Sequence, residues 1–429
     1  MATHILFLTL LLMPVEAQAQ APRRLSLSAA IQAALENNAG IEISEEQQIQ
    51  AGARMEEQRS MIIPTVNGVL STSNMTLNLA SRGLAFPGLP RLVGPFNDTE
   101  TRVQFAGPLD LSSIRRYQSS RRSLDSSQFE TEAVRNRVAA MVARLYFGVQ
   151  SARAMVDAAS AQIELDESLL KLARDRQEAG VGTGLDVTRA GSRLAADRVR
   201  LLQAQNESRT AELQLLRAMG ERLDSPIELT DPLMAPVTPA VTAQQAVETA
   251  FRNRPELKSE EKKLEAAGLT YGAAKAERVP NVQVFADYGN SGDVHLAFLP
   301  TRTLGVQVNV PLFDAGRRAA HRKNAQSQLR QTEIRARDVR DEIELEVRIA
   351  VDHLAYAQEQ LKAAEQSFKL AQEELELSRL RFEAQVTTQL DVVSAQAELA
   401  TARSRSVNAL FTLKSAEIEY KRATGLEIQ

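Results

Sequence analysis

The chain contains no cysteine and no tryptophan. The first absence excludes disulfides, thiol catalysis, thiolate metal sites and a cysteine-borne lipid anchor behind a leader peptide. Aromatic residues make up 4% of the 429 positions, low for an enzyme-like globular core and normal for long helices rich in Ala and Leu. Excess charge is lacking too: the net value is -3, which gives nucleic acid no electrostatic footprint. Met1–Ala19 carries an apolar stretch from Ile5 to Met13, then Pro14 and the small residues Ala17 and Ala19. It reads as a secretory signal peptide, too short to span a bilayer comfortably. No later run is long and apolar enough for a membrane-spanning helix, so any insertion must use strands. His295, His321 and His353 are scattered, so no metal or other cofactor is expected. No nucleophile, base and orienting group converge in the pattern, and no enzyme is expected.

Proline is also missing between Phe313 and Ala384, where the one glycine is Gly316. That stretch of about 70 residues, opening at the helix-capping Asp314, predicts a helix about 100 Å long at about 1.5 Å per residue. Ile343, Val347, Ala350, Leu354, Ala357, Leu361, Ala364, Phe368, Ala371 and Leu375 alternate steps of four and three, a sustained heptad seam. A cytoskeletal or tethering coiled coil would show the same seam.

The chain is one unit written twice. Ala34, Asn37, Ala51, Gly52 and Pro64 fall on Ala250, Asn253, Ala267, Gly268 and Pro280, a shift of 216 (280 minus 64). Asp186, Val187, Leu194 and Gly220 fall on Asp391, Val392, Leu399 and Gly425, a shift of 205 (391 minus 186). The seam repeats at that shift from Val138 to Leu170, interrupted by Asp166 where the second copy has Ala371. The predicted organisation is a signal peptide over 1–19, a first repeat over 20–223, a linker over 224–240 and a second repeat over 241–429. Each repeat opens with one helix, Ser26–Met61 or Thr242–Val279, stopped by a proline. A β-hairpin follows at 65–107 or 281–310, then a long helix at 109–179 or 313–384, and a return helix at 185–219 or 390–424. The four prolines at 226, 232, 236 and 239 make the linker read as extended.

In the second hairpin Leu304, Val306, Val308 and Val310 alternate with Thr303, Gly305, Gln307 and Asn309. Apolar residues on one face and polar ones on the other suit a wall between lipid and water. Four strands cannot close a membrane barrel, which needs about eight or more, so several copies must contribute. The hairpin loops 81–98 and 291–301 are expected to face outside. A barrel continuous with rods of such length would make a conduit.

The strand-to-rod junction reads Val308, Asn309, Val310, Pro311, Leu312, Phe313, Asp314, Ala315, Gly316. The rod tip reads Arg381, Phe382, Glu383, Ala384, then Thr388, Leu390, Asp391, Val392, echoed by Ala179, Gly180, Thr183, Leu185, Asp186, Val187. Junction, tips and repeat together resemble the TolC-like outer-membrane efflux protein family. The resemblance implies a mixed α and β fold, with long antiparallel helical hairpins forming a periplasmic α-barrel. These join β-hairpins that complete a 12-stranded transmembrane barrel in a homotrimer. It implies an outer-membrane channel subunit of a tripartite efflux or secretion system, partnered by a periplasmic adaptor, an inner-membrane pump and outer-membrane lipid. Asp391, with Asp186 in the first copy, matches a position whose carboxylates ring the tunnel's narrow end and favour cations; each Asp also suits the N-cap of its returning helix. Gly180, Gly182, Thr183, Gly184, Val386, Thr387 and Thr388 are the expected adaptor contacts, and Pro108, Pro311, Phe313 and Gly316 the junction. In the family a closed tip is held by polar links to a Tyr and an Arg. Here Phe382, Thr387 and Ser394 stand at the corresponding places, so that lock is not expected in the same form.

The arginines and lysine near both rod starts, Arg115, Arg116, Arg121, Arg122, Arg317, Arg318, Arg322 and Lys323, suit either anionic headgroups or a solvated helix face. The alternative to a channel is a periplasmic coiled-coil adaptor or structural rod, which would have no use for a lipid-facing row.

Overall fold

The structure, a computed structural model, describes residues 23–79, 81, 83, 88, 90–233, 242–293, 297–384 and 386–428. The signal-peptide stretch 1–19, Pro236, Pro239 and His295 lie outside the described residues. Two rods dominate. Helix α3, Leu111–Glu178, has 68 residues, and α7, Arg317–Glu383, has 67; each is about 100 Å long at about 1.5 Å per residue. Both return, as α4, Gly184–Met219, and α8, Gln389–Thr424. Ile343, Val347, Ala350, Leu354, Ala357, Leu361, Ala371 and Leu375 are buried along the α7 seam, because a heptad keeps one edge of each helix on its partner.

The rods start later than their sequence suggests. The first was expected from 109, but Leu109 remains paired with Val282 in the sheet, and Asp110 caps α3 by accepting from Ser112 N and Ser113 N. The second was expected from 313. It begins at Arg317 because Ala315 and Gly316 take positive φ, 53° and 87°, and turn the chain before the helix. Asp314 still satisfies its first turn, accepting from Gly316 N and Arg318 N.

Each leading helix, expected as one piece, is two. Helices α1, Leu27–Asn37, and α2, Ala39–Ser60, break at Asn38; α5, Ala243–Asn253, and α6, Pro255–Ala276, break at Arg254. Pro255 disfavours helical backbone at the residue before it. Both break residues tie to the last turn of a return helix. Asn38 Nδ2 donates to Ala218 O at 2.8 Å and the buried Arg254 to Ala423 O at 3.4 Å, equivalent carbonyls in the two copies. Arg254 also holds Glu256 at 3.0 Å and Glu346 at 2.7 Å.

The linker is partly a strand. β4, Ile227–Leu229, runs parallel to β1, Arg23–Leu25. Beside them the buried Tyr146 hydroxyl reaches Leu25 O and Asp231 Oδ2, and Asp231 also accepts from Leu27 N at 2.6 Å. The two repeats interlock through α3 and α6: Ser119 Oγ donates to Ala266 O at 2.9 Å, and Ser126 meets Ser259 at 3.0 Å. Small residues at seven-residue spacing, Ser112, Ser119, Ser126, Ala133 and Ala140, are all buried along α3, and such residues allow close helix approach.

The four longer strands form one antiparallel sheet in the order β2-β3-β5-β6. They span Thr65–Asn78, Leu92–Leu109, Asn281–Asp293 and Ala297–Asn309. Pairing runs well into the stretches expected as outer loops, since ladder hydrogen bonds do not need an apolar face to continue. At Gly289 an added Cβ would lie 2.0 Å from Thr101 O, so the β3–β5 register leaves no room for a side chain there.

Candidate functional site

Each hairpin tip is built from a turn and a capping box. After α3, Gly180 takes φ 75°, and a Cβ on Gly182 would meet Gln177 N at 2.9 Å; both glycines serve the reversal. Thr183 caps α4: Asp186 N donates to Thr183 Oγ1, while Asp186 Oδ2 accepts from Thr183 N at 3.2 Å and Thr183 Oγ1 at 2.7 Å. Thr388 and Asp391 repeat the box on α8, where Asp391 Oδ2 accepts from Thr388 N at 3.1 Å and Thr388 Oγ1 at 3.0 Å and from the Thr387 hydroxyl. Neither Asp is the N-cap itself, as one expectation had it. The threonine holds that place and the carboxylate sits three residues on, because a short hydroxyl reaches the free N–H while the longer carboxylate reaches back. The Thr387 hydroxyl, followed by the Thr388 donors, pulls the Asp391 carboxyl below its usual range. It is exposed and remains an anion at neutral pH.

The tips also present Val181, Leu185, Val386 and Leu390, all exposed. Leu185 and Leu390 were not among the expected contacts. The repeat was the available signal, since Val181 and Val386, and Leu185 and Leu390, are equivalent at the shift of 205 (386 minus 181).

The two hairpins meet just above the tips. Phe382 is buried with Leu169, Leu375, Val392 and Ala395, and the Arg176 guanidinium lies over its ring, 4.6 Å from the centroid. A residue expected only as a missing polar link is instead the apolar centre of the contact. Ser394 is exposed.

At the other end, the pairing registers put Val66 and Leu70 of β2, Val103 and Phe105 of β3, Val282, Val284, Ala286 and Tyr288 of β5, and Leu304, Val306 and Val308 of β6 on one face. The opposite face carries Asn67, Ser71, Gln104, Gln283, Gln307 and Asn309. Arg102 on that polar face reaches Asp287 at 2.6 Å and Glu100 at 3.5 Å. The edges β2 and β6 have no partner strand among the described residues. At the junction Pro108 lies within β3 opposite Gln283, and Leu312 and Phe313 after Pro311 are each 90% exposed. Several basic residues near the rod starts are paired: Arg116 with Glu277 at 2.6 Å, Arg122 with Glu265 at 3.0 Å and Arg318 with Asp314 at 2.5 Å. These arginines tie the rods to their surroundings. Among the described residues no group of His, Cys, Asp or Glu suits a metal ion, and no helix is long and apolar enough to cross a membrane.

The profile of the family described as "Outer membrane efflux protein" matches residues 30–221 and 246–426. The probable efflux pump outer membrane protein SepC of Pseudomonas putida is 27% identical over 299 residues, 66% of this chain and 60% of that protein. The solvent efflux pump outer membrane protein SrpC of Pseudomonas putida is 25% identical over 416 residues, 92% of this chain and 84% of that protein. The solved outer membrane protein VceC of Vibrio cholerae superposes with a TM-score of 0.83 at 17% identity, covering 93% of this chain and 96% of that one. This last likeness concerns the fold: helical rods joined to a β domain.

Proposed function

The chain belongs to the outer membrane efflux protein family, and on that premise we propose that it is an outer-membrane channel subunit, a passive export conduit of a tripartite efflux or secretion system. The observation that carries this reading is the sheet. Its four strands share an apolar band on one face, have two open edges and stand on rods about 100 Å long. An apolar face turned outward and a polar face turned inward match a wall between lipid and an aqueous lumen. Because all neighbours are antiparallel, β6 of one copy can pair with β2 of the next. Three copies would close a barrel of twelve strands, four from each.

The rods support the same assembly. Ile349, Tyr356, Leu370 and Leu377 are exposed at seven-residue spacing or its double along α7, a second seam that this chain leaves uncovered. On α4, Val199 and Leu202 are exposed among Arg189, Arg198 and Arg209, whereas α7 flanks its stripe with Asp352, Glu359 and Glu373. Opposite charge around two apolar strips suits packing of α4 on the α7 of a neighbouring copy. A homotrimer, outer-membrane lipid around the barrel, and a periplasmic adaptor with its inner-membrane pump at the tips are the partners. Gly180 to Gly184 and Val386 to Thr388 are the adaptor contacts, joined by Leu185 and Leu390. The Asp391 anions, with those of Asp186, ring the narrow end. A soluble periplasmic rod would leave the apolar row Leu304, Val306 and Val308 in water, which costs about 25 cal/mol for each Å² exposed.

Single-channel conductance of the purified protein in a planar bilayer tests the reading. Discrete, cation-selective currents whose selectivity falls in Asp391→Ala are expected. A protein that stays soluble without detergent and carries no current refutes it.

A further inference from the structure

Two carboxylates are buried where α3 meets α4, in the tip-proximal part of the first hairpin. Asp166 and Asp197 are each 2% exposed. Gln162 Nε2 donates to Asp166 Oδ1 at 3.0 Å, and Arg200 donates to Asp197 Oδ1. The remaining oxygen of each, Asp166 Oδ2 and Asp197 Oδ2, has no hydrogen-bond partner, nor has Arg193 Nε. Arg193 Nε stands 3.8 Å from Asp166 and 3.4 Å from Asp197. It offers both some charge and completes a hydrogen bond with neither.

Two facing carboxylates are both acceptors, so no hydrogen bond joins them unless one carries a proton. A single shared proton would satisfy the pair and halve its charge. The second copy shows that the helix geometry does not need the carboxylates. Asp166 corresponds to Ala371 and Asp197 to Ala402 at the shift of 205 (371 minus 166), and both alanines are buried in the same layer of the second hairpin. Other charged groups surround the pair on all three helices, with Arg144 of α3 and Glu207 of α4 farther along the same groove. On α3, Glu167 is paired with Arg198 of α4 at 2.9 Å. On α8, Arg405 is held near Glu398 at 3.4 Å. Arg193, Asp197, Arg200, Arg403 and Arg405 line a groove of about 970 Å³ between α3, α4 and α8. That groove gives solvent protons a route to the Asp197 side of the pair.

We propose that Asp166 and Asp197 form a proton-binding latch in the first hairpin. With one proton shared, the pair holds α3 on α4 in the packing seen here. With both groups ionised, their repulsion loosens the lower part of the hairpin. Burial, followed by the hydrogen bond and charge of Asp197, pushes the Asp166 carboxyl up to about 7, against the opposing pull of Arg193 and Gln162. The proton therefore leaves in the neutral range. The second hairpin has no such group in that layer and stays closed throughout. The latch rests on the hairpin and not on the conduit reading.

The chain has no native cysteine, so spin-label pairs can be placed cleanly in the purified full-length protein. Lys171→Cys with Ser192→Cys spans the first hairpin, and Glu376→Cys with Ala397→Cys spans the equivalent place in the second. Pulsed electron paramagnetic resonance distances are recorded between about pH 5 and about pH 9, a range that brackets the raised carboxyl and lies above ordinary aspartate titration at about 4. The expected result is a narrow first-hairpin distribution at the acid end that broadens through neutrality, with no change in the second hairpin. Asp166→Asn keeps the first hairpin narrow at every pH. So does the double variant Asp166→Ala, Asp197→Ala, which copies the second repeat. An unchanging distribution in the otherwise native first hairpin overturns the latch, as does equal broadening of both hairpins or broadening that survives in Asp166→Asn. Channel activity enters none of these readings, so failure of the latch and failure of the conduit are separate results.

Discussion

The contact that joins the two hairpins near their tips turns on Phe382, and truncating it to alanine has a calculable effect. The ring is buried against Leu169 of the first hairpin and Leu375, Val392 and Ala395 of the second. A buried Phe→Ala change costs about 3–5 kcal/mol, least where neighbours can collapse into the space. This cluster lies near the ends of the rods, where collapse is easy, so about 3 kcal/mol is appropriate. Loss of the Arg176 stack, 4.6 Å from the ring centroid, adds about 0.5–1 kcal/mol. Leu375, Val392 and Ala395 stay with Phe382 in the second hairpin when the tips part, so only the share borne by Leu169, on the order of 1 kcal/mol, together with the stack shifts the balance between packed and separated tips, about 10- to 30-fold, since each 1.4 kcal/mol is tenfold. Phe382→Leu keeps most of the apolar contact and loses mainly the stack, a shift of about two- to fivefold. Arg176→Ala should match it. Labels at Glu178→Cys and Glu383→Cys, both exposed positions, report the fraction of molecules outside the main tip-to-tip distance. Equal effects of Phe382→Ala and Phe382→Leu would refute the packing argument. An effect of Arg176→Ala as large as that of Phe382→Ala would do the same.

Gly289→Ala places a Cβ 2.0 Å from Thr101 O and 2.6 Å from Arg102 Cα, backbone that cannot yield without breaking the β3–β5 ladder. The proposed oligomer should not form in this variant, by size-exclusion chromatography in detergent, whereas Gly68→Ala, with nothing within 4 Å, should assemble as the unaltered chain does. Asp391 has a folded-state pKa below 3.8, so its contribution to the tip is present above about pH 4 and lost as the pH falls through the folded value. A spin label at Val386→Cys should gain mobility in acid, and in Asp391→Ala it should be mobile at every pH. Asp166 has the opposite sign. Burial and the neighbouring Asp197 raise its pKa, so the folded chain binds more protons than the unfolded one above the ordinary carboxylate value, and stability falls as the pH rises through that window. Asp166→Asn should flatten that slope in chemical denaturation and be the more stable protein at about pH 8. An unchanged slope excludes Asp166 as its source.

Much of the molecule is readable without coordinates because the relevant signals are periodic. The α7 seam from Ile343 to Leu375 rests on heptad spacing, which depends on the helix alone. The alternation at Leu304, Val306 and Val308 rests on the period of two in a strand. The internal repeat needs only the chain compared with itself. Single residues carry no such period. Pro255 is visible, yet the pattern from Thr242 reads as one continuous helix. Asp314 is a sound capping residue, yet the helix waits for Gly316, because the positive φ of Ala315 and Gly316 is a property of the turn and not of composition. Beta pairing beyond the alternating core could not be seen at all, since the polar residues of β3 and β5 carry no pattern of their own.

The candidate site divides in the same way. The threonine and aspartate of each tip, three residues apart, are a local motif, and local hydrogen bonds assign the threonine to the cap and the aspartate to the box. Phe382 against Arg176, Asp166 beside Asp197 and Arg254 on Ala423 each join segments far apart in the chain, and no spacing in one segment announces its partner in another. The sequence by itself therefore determined the rods, the duplication and the apolar and polar faces of the strands, because each follows from the repeat geometry of one element. The tertiary structure alone decided where the hairpins touch, which buried charges face one another and how far the sheet extends, because those depend on distances between elements that only the folded chain sets.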